Sequence, residues 1–259
     1  MGYAVGAMRQ ADRLSAIIER LASDGAVDVA DLVDRLGVSP ATARRDLHLL
    51  EEQRMLSRTH GGAVARDVLY ELPLRYKAAR HHVEKRRIAA EAATRVVDGA
   101  VIGLTGGTTT TEVARSILDR RGITVVTNAL NIAGELAIRA DLKLVVTGGT
   151  ARSESYELVG PVAEQALERL NLDIAFVGVD GIAVDAGLTT HHEVEAHTNR
   201  TMIERARWVV VVTDSSKLGR VAFAQICRLW DVHELITDEG VSPAMVRDIR
   251  DAGISVAVV

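Results

Sequence analysis

The sequence predicts an α/β chain in two parts, a small helical module with a hairpin over residues 1–64 and a larger domain with a largely parallel sheet over 84–259. Three observations predict it. The 259 residues exceed the usual single domain of roughly 100–150. From Glu84 onward, continuous β-branched runs alternate with amphipathic stretches, as strands buried on both faces of a parallel sheet do. Ahead of them lie three short helical patterns separated by glycine breaks. Residues 65–83, with Pro73 and the basic run Arg75, Lys77, Arg80, His81 and His82, read as the linker.

In the first module, Leu14, Ile17, Ile18 and Leu21 fall at helical spacing, and Ser23-Asp24-Gly25 ends that helix. Asp28 caps a second helix that buries Val29, Leu32, Val33 and Leu36. Gly37 supplies a tight turn and Val38 an apolar plug. Ser39 caps a third helix with Pro40 at its first position, where the missing N–H costs nothing. That helix turns Ala43, Leu47 and Leu50 inward. Met55 to Val64, containing His60-Gly61-Gly62, reads as a β-hairpin wing. In the larger domain the strands expected are 101–105, 123–127, 142–147, 174–179, 208–213, 234–237 and 254–258. Helices are expected over 85–97, 108–120, 129–139, 161–170, 190–206 and 242–252.

Composition narrows the classes. Hydrophobic residues make up 47% and aromatics only 3%, so the core is aliphatic. No apolar run reaches the roughly 18 residues that span a bilayer, and the N-terminal stretch lacks a signal-peptide pattern. Cys227, the single cysteine, has no internal partner for a disulfide, which fits a reducing compartment. The expectation is a cytoplasmic protein with no membrane partner.

The segment from Ala30 to Leu50 has helix-turn-helix grammar: short helix, glycine turn, capped second helix. Its outward face presents Ala41, Thr42, Arg44, Arg45 and His48 beside the cap Ser39. Arginine can bridge two acceptors on a guanine edge in the major groove, and a helix N-terminus favours phosphate. Arg54, Arg58 and His60 on the wing would grip the flanking backbone. The net charge of −4 decides nothing, because DNA affinity rests on where cations cluster. A capped surface helix with solvated arginines has the same grammar.

Four loops at expected strand ends carry small polar chemistry. In Thr105-Gly106-Gly107-Thr108-Thr109-Thr110 the glycines let the backbone curl near an anion, and the following helix adds N–H groups. Thr127-Asn128, Gly148-Gly149 and Asp180-Gly181 are the other three. Lys217 offers a cation for a phosphate, and Asp180 is a candidate for ligand hydroxyls. In open parallel sheets such loops converge on one crevice. Singly, each is also an ordinary turn or surface residue.

These motifs together resemble the DeoR family of bacterial regulators. The N-terminal match runs through Arg13, Ile17 and Leu21, then Ser39, Thr42, Ala43, Arg44, Arg45, Asp46 and Leu47. Leu50-Glu51 and Arg58-Thr59-His60-Gly61-Gly62-Ala63 complete it. The remainder resembles the family's sensor domain through Glu84-Lys85-Arg86, Gly107-Thr108-Thr109, Thr127-Asn128, Gly148-Gly149, Asp180-Gly181-Ile182, Gly187-Leu188-Thr189 and Asp214-Ser215-Ser216-Lys217. The resemblance implies an N-terminal winged helix-turn-helix. It also implies a Rossmann-like sensor domain of the ribose-5-phosphate isomerase/CoA-transferase-like kind. The expected protein is a repressor of carbohydrate genes, released from operator DNA by a phosphorylated sugar or related metabolite and acting as a homodimer or homotetramer without cofactor. Thr105 stands where the family often has Asp, which bears on the identity of the sugar.

Catalysis is the rival reading, since isomerisation needs a base and a group that polarises a carbonyl. The isomerase's Lys-Gly-Gly-Gly-Gly-Ala-Leu segment has no counterpart here, so no catalytic residue is assigned. Glu193 and Glu195 read as helix-surface residues. His191, His192 and His197 lack the four-residue spacing that places two imidazoles on one helical face, so no metal is expected. A metabolite-binding scaffold without DNA function would leave Arg44 and Arg45 without a role.

Overall fold

Glycine breaks and capping side chains fix the ends of the first helices. The computed structural model describes residues 9–53, 55–65, 74–77 and 80–259, and the chain divides into two units, Met1–Arg80 and His81–Val259. In the first unit α1 (Gln10–Asp24) stops at Gly25, whose φ of 73° is left-handed. After β1 (Ala26–Asp28), the Asp28 carboxylate accepts the Ala30 N–H at 2.7 Å and caps α2 (Val29–Leu36). Gly37 turns the chain, and the Ser39 hydroxyl accepts the Thr42 N–H at 3.2 Å at the start of α3 (Pro40–Glu52). The hairpin β2 (Leu56–Arg58) and β3 (Gly62–Ala65) follows. Within the span expected as linker, α4 (Leu74–Lys77) forms one turn that packs on α1.

Strand β1 has no sequence signal, because three residues are too few to show alternation. It pairs antiparallel with β3, making a sheet of order β1-β3-β2. Gly62 permits this: a Cβ there would lie 1.9 Å from the Val27 carbonyl oxygen. Ile17, Ile18, Leu21, Leu32, Ala43, Leu47, Leu50 and Leu56 fill the core beneath. Val29, Val33 and Leu36 are only partly buried around it. A buried ion pair joins α1 to α3. Asp46 on α3 is 1% exposed and accepts from Arg13 on α1 at 2.7 and 3.2 Å.

The second unit runs α5 (His82–Ala93), β4 (Val101–Leu104), α6 (Thr108–Ser116), β5 (Thr124–Thr127), α7 (Leu130–Leu136) and β6 (Lys143–Val146). Next come β7 (Thr150–Ala151), β8 (Leu158–Val159), α8 (Pro161–Glu168), β9 (Leu172–Val177), β10 (Gly181–Ala183) and β11 (Gly187–Thr190). It ends with α9 (Glu193–Glu204), β12 (Ala206–Val212), β13 (Ala224–Cys227), β14 (Glu234–Thr237), α10 (Pro243–Asp251) and β15 (Ser255–Val258). Each strand expected from a β-branched run lies in one seven-stranded parallel sheet of order β15-β14-β12-β9-β4-β5-β6.

Along β12, Val209 and Val211 join the core shared with α9 and α10, while Val210 and Val212 join the core shared with α5, α6 and α7. That alternation places helices on both faces. The β7–β8 pair and the antiparallel sheet β10-β11-β13 were not foreseen. Their strands are short, and their residues carry no β-branched run.

Removing the Asp46 carboxylate takes away the acceptor that holds the largely buried Arg13 cation. Asp46→Ala is expected to cost about 3 kcal/mol. Hydrogen exchange of the α1 and α3 amides reads this directly, and unchanged protection would show that the pair contributes nothing.

Candidate DNA-reading helix and small-molecule site

On α3 the inward residues Ala43, Leu47 and Leu50 leave Ala41, Arg44, Arg45 and His48 exposed on the opposite side. Arg44 and Arg45 make no ion pair with a described residue, so their guanidinium groups are available to an external anion. Ser39 and Thr42 are used differently: their hydroxyls lie 2.9 Å apart and serve the cap. His48 lies 3.6 Å from Glu52 and 3.9 Å from Glu51. The Arg58 N–H donates to the Glu51 carboxylate at 3.1 Å, which ties the wing to the end of α3. His60 is exposed at the hairpin turn, and Arg54 lies outside the described residues.

In the second unit the strand order reverses between β4 and β9, the topological switch point where parallel sheets open a ligand crevice. The loops after these two strands touch. The Thr105 hydroxyl accepts the Gly178 N–H at 3.0 Å and donates to the Gly106 carbonyl at 3.2 Å. Thr105 is fully buried and shapes the loop. Gly107, with φ of 132°, starts α6 without a side-chain cap, so the first N–H groups of Thr108, Thr109 and Thr110 have no side-chain acceptor. The Thr110 and Thr111 hydroxyls both donate to the Gly107 carbonyl.

The other expected loops divide. Thr127 is structural: its hydroxyl donates to the Leu104 carbonyl at 2.8 Å and accepts the Ala129 N–H at 3.0 Å. Asn128 faces a polar cluster described below. Gly148 and Gly149 make the turn into β7, and a Cβ on Gly149 would meet the Val159 carbonyl at 2.7 Å. Asp180 lies 3.5 Å from the Lys217 ammonium, and its carboxylate accepts the Thr190 hydroxyl at 3.2 Å. Gly181 lets the chain carrying Lys217 approach, since a Cβ there would lie 2.5 Å from the Arg220 carbonyl. His191 stands 4.0 Å from Asp180, while the His192 ring caps α9 by accepting the Val194 N–H.

Sequence reading missed the buried centre of this cluster. Glu195, expected on a helix surface, is 2% exposed, whereas Glu193 is exposed. Its carboxylate meets Arg152 at 2.5 Å and shares with Asp180 the single proton of the Thr190 hydroxyl, 3.3 Å away. Burial is tolerated because a cation and a hydroxyl compensate the charge. Glu157, just before β8, accepts from the Asn128 and Asn199 amides at 3.2 and 3.3 Å. Burial, reinforced by the Glu195 charge, pushes the Glu157 carboxyl up to about 8. No spacing rule marks these residues, since they come together only when the β7–β8 segment folds over the sheet.

Fold and site together define a class: a helix-turn-helix head joined to a unit with a candidate ligand crevice. The comparisons with known proteins agree. A model described as the DeoR-like helix-turn-helix domain matches residues 13–68, and one described as the DeoR C-terminal sensor domain matches 80–239. The HTH-type transcriptional regulator GlpR of Haloferax volcanii is 39% identical over 96% of this chain and 98% of its own length. The putative aga operon transcriptional repressor of Escherichia coli O157:H7 is 37% identical over 96% of this chain and 93% of its own. The glycerol-3-phosphate regulon repressor of Escherichia coli K12 is 34% identical over 89% and 92%. Ribose 5-phosphate isomerase A of Methanocaldococcus jannaschii is similar at a TM-score of 0.40 and 24% identity over 53% of this chain and 55% of its own. A likeness of that size carries no argument about chemistry. The chain belongs to the DeoR family and is a DNA-binding transcription regulator.

The raised Glu157 carboxyl gives the second unit a pH dependence. Between its ordinary value of 4.5 and about 8, the unfolded chain has lost a proton that the folded chain still holds. Stability therefore falls as pH rises through this window. Glu157→Gln is expected to flatten that slope in thermal unfolding, and an unchanged slope would place the carboxyl in the normal range.

Proposed function

We propose that this chain represses genes of carbohydrate metabolism and leaves its operator when a phosphorylated sugar or related metabolite binds the β4–β9 crevice. The observation that carries the reading is the pairing of two exposed, unengaged arginines on a capped helix with a separate crevice that offers anion-holding groups. The uncapped start of α6 supplies N–H donors and Lys217 supplies the cation. Asp180 and Glu195 lie beside them to accept hydroxyls. Two relatives are named as repressors of an operon or regulon, and one of those names includes glycerol 3-phosphate.

Arg44 and Arg45 are the base-reading residues in this proposal, and Arg58 and His60 hold the flanking phosphates. A homodimer or homotetramer presents paired heads to half-sites about one helical turn or a multiple apart. Closure of the crevice loops changes the spacing of those heads through the segment joining the two units. By linkage, the effector weakens DNA affinity by the same factor as DNA weakens effector affinity. Bound effector is not turned over. The chain lacks the isomerase's glycine-rich lysine segment, Glu195 pairs with Arg152, and Glu157 is buried among amides.

Fluorescence anisotropy with the chain's upstream DNA tests the reading. Arg45→Ala is expected to reduce operator affinity at least tenfold, the cost of one bidentate contact, with effector binding retained. Lys217→Ala is expected to do the reverse, giving a protein that holds DNA and no longer releases it. Affinity that does not fall with rising salt would exclude phosphate contacts. Turnover of ribose 5-phosphate by the purified protein would overturn the non-catalytic assignment.

A further inference from the structure

The acids of the crevice are not equivalent. Glu195 is paired with Arg152 at 2.5 Å, and Asp180 lies 3.5 Å from Lys217. Glu157 is 5% exposed and makes no ion pair among the described residues. Beyond burial, the negative charges of Glu195 and Asp180 push its carboxyl further up. Its Oε2 atom accepts the Asn128 and Asn199 amides, while no described residue donates to Oε1. That oxygen lies against Gly106, where a Cβ would come within 2.3 Å of it. The absent side chain at Gly106 keeps room for Oε1 next to the anion-holding loop.

A second atom in the same cluster points the same way. Asn128 is fully buried, its Nδ2 group serves Glu157 and Asn199, and its Oδ1 atom has no donor. Buried acceptors without donors are uncommon and costly. The cluster thus holds one amide oxygen without a donor beside a neutral carboxyl that lies in a negative field. A divalent cation does not fit, because no three His, Cys, Asp or Glu side chains among the described residues are placed to hold one.

We propose that Glu157 and Asn128 form a specificity-determining subsite for an ammonium group, so that the effector is an amino-sugar phosphate and not its hydroxyl counterpart. This rests on the effector reading above. An ammonium brings three N–H donors, no acceptor, and the one charge that the Glu157 environment lacks. A hydroxyl brings one donor and no charge. The phosphate is held at the start of α6 and Lys217, and the amine lies across Gly106 against Glu157. Glu157 gives up its proton to solvent as the pair forms, because the incoming cation reverses the field that had held the carboxyl neutral.

Isothermal titration of the full chain at neutral pH tests this with 2-amino-2-deoxyhexose 6-phosphates of the gluco and galacto series, the parent hexose 6-phosphates, and inorganic phosphate. At least one amino compound is expected to bind about tenfold tighter than its parent, as one charge-assisted hydrogen bond would give. Glu157→Gln is expected to bring the two within about twofold by weakening the amino compound alone, and Glu157→Asp to keep part of the preference. Equal affinities in the wild type, or a preference that survives Glu157→Gln, overturn the ammonium subsite while leaving the effector reading in place. If no phosphate compound binds, the effector reading falls and the subsite falls with it.

Discussion

The candidate crevice depends on two strands that are distant in sequence lying side by side in parallel register. Strands β4 and β9 pair through Ile102 with Ile174 and Leu104 with Phe176. Thr105 continues the register past the last pair: its N–H donates to the Phe176 carbonyl, and its hydroxyl accepts the Gly178 N–H. Two loops that would otherwise diverge are therefore fastened together at their roots. The uncapped start of α6, the Asp180 turn and the room around Glu157 all take their positions from that junction. A methyl group on Gly178 would come within 2.9 Å of the Gly106 carbonyl, so the junction admits no side chain.

Much of this architecture was legible because the relevant signals are local. The β-branched runs mark strands buried on both faces, and each expected run became a strand of the main sheet. Ser39-Pro40, Asp28 and Gly37 mark helix ends through short-range capping chemistry, which three or four residues suffice to display. The pieces that escaped are those whose stability comes from elsewhere in the chain. Strand β1 exists because β3 lies beside it, and β8 exists because its segment folds back on β7.

The candidate site shows the same division. Loop residues Gly106, Gly107, Asp180 and Lys217 were legible as small or charged groups after strands. Thr105 and Thr127 resemble ligand groups because a hydroxyl in a sequence looks the same whether it faces a ligand or a carbonyl. Glu195 was misread for the opposite reason: a glutamate on a helix is usually solvated, and only Arg152, over forty positions earlier, makes its burial tolerable. Asp46 belongs to the same class, since Arg13 compensates it from another helix. Buried charges disclose themselves only with their partners.

The close passage of β3 over β1 at Gly62 has a consequence for how the head meets a duplex. Because the wing is a strand of a three-stranded sheet, its backbone is already fixed before any phosphate is near. Asp28 belongs to that sheet and also caps α2, so a pull on the hairpin is felt at the start of the helix that precedes α3. A hairpin held this way has little chain entropy left to lose on contact with a partner.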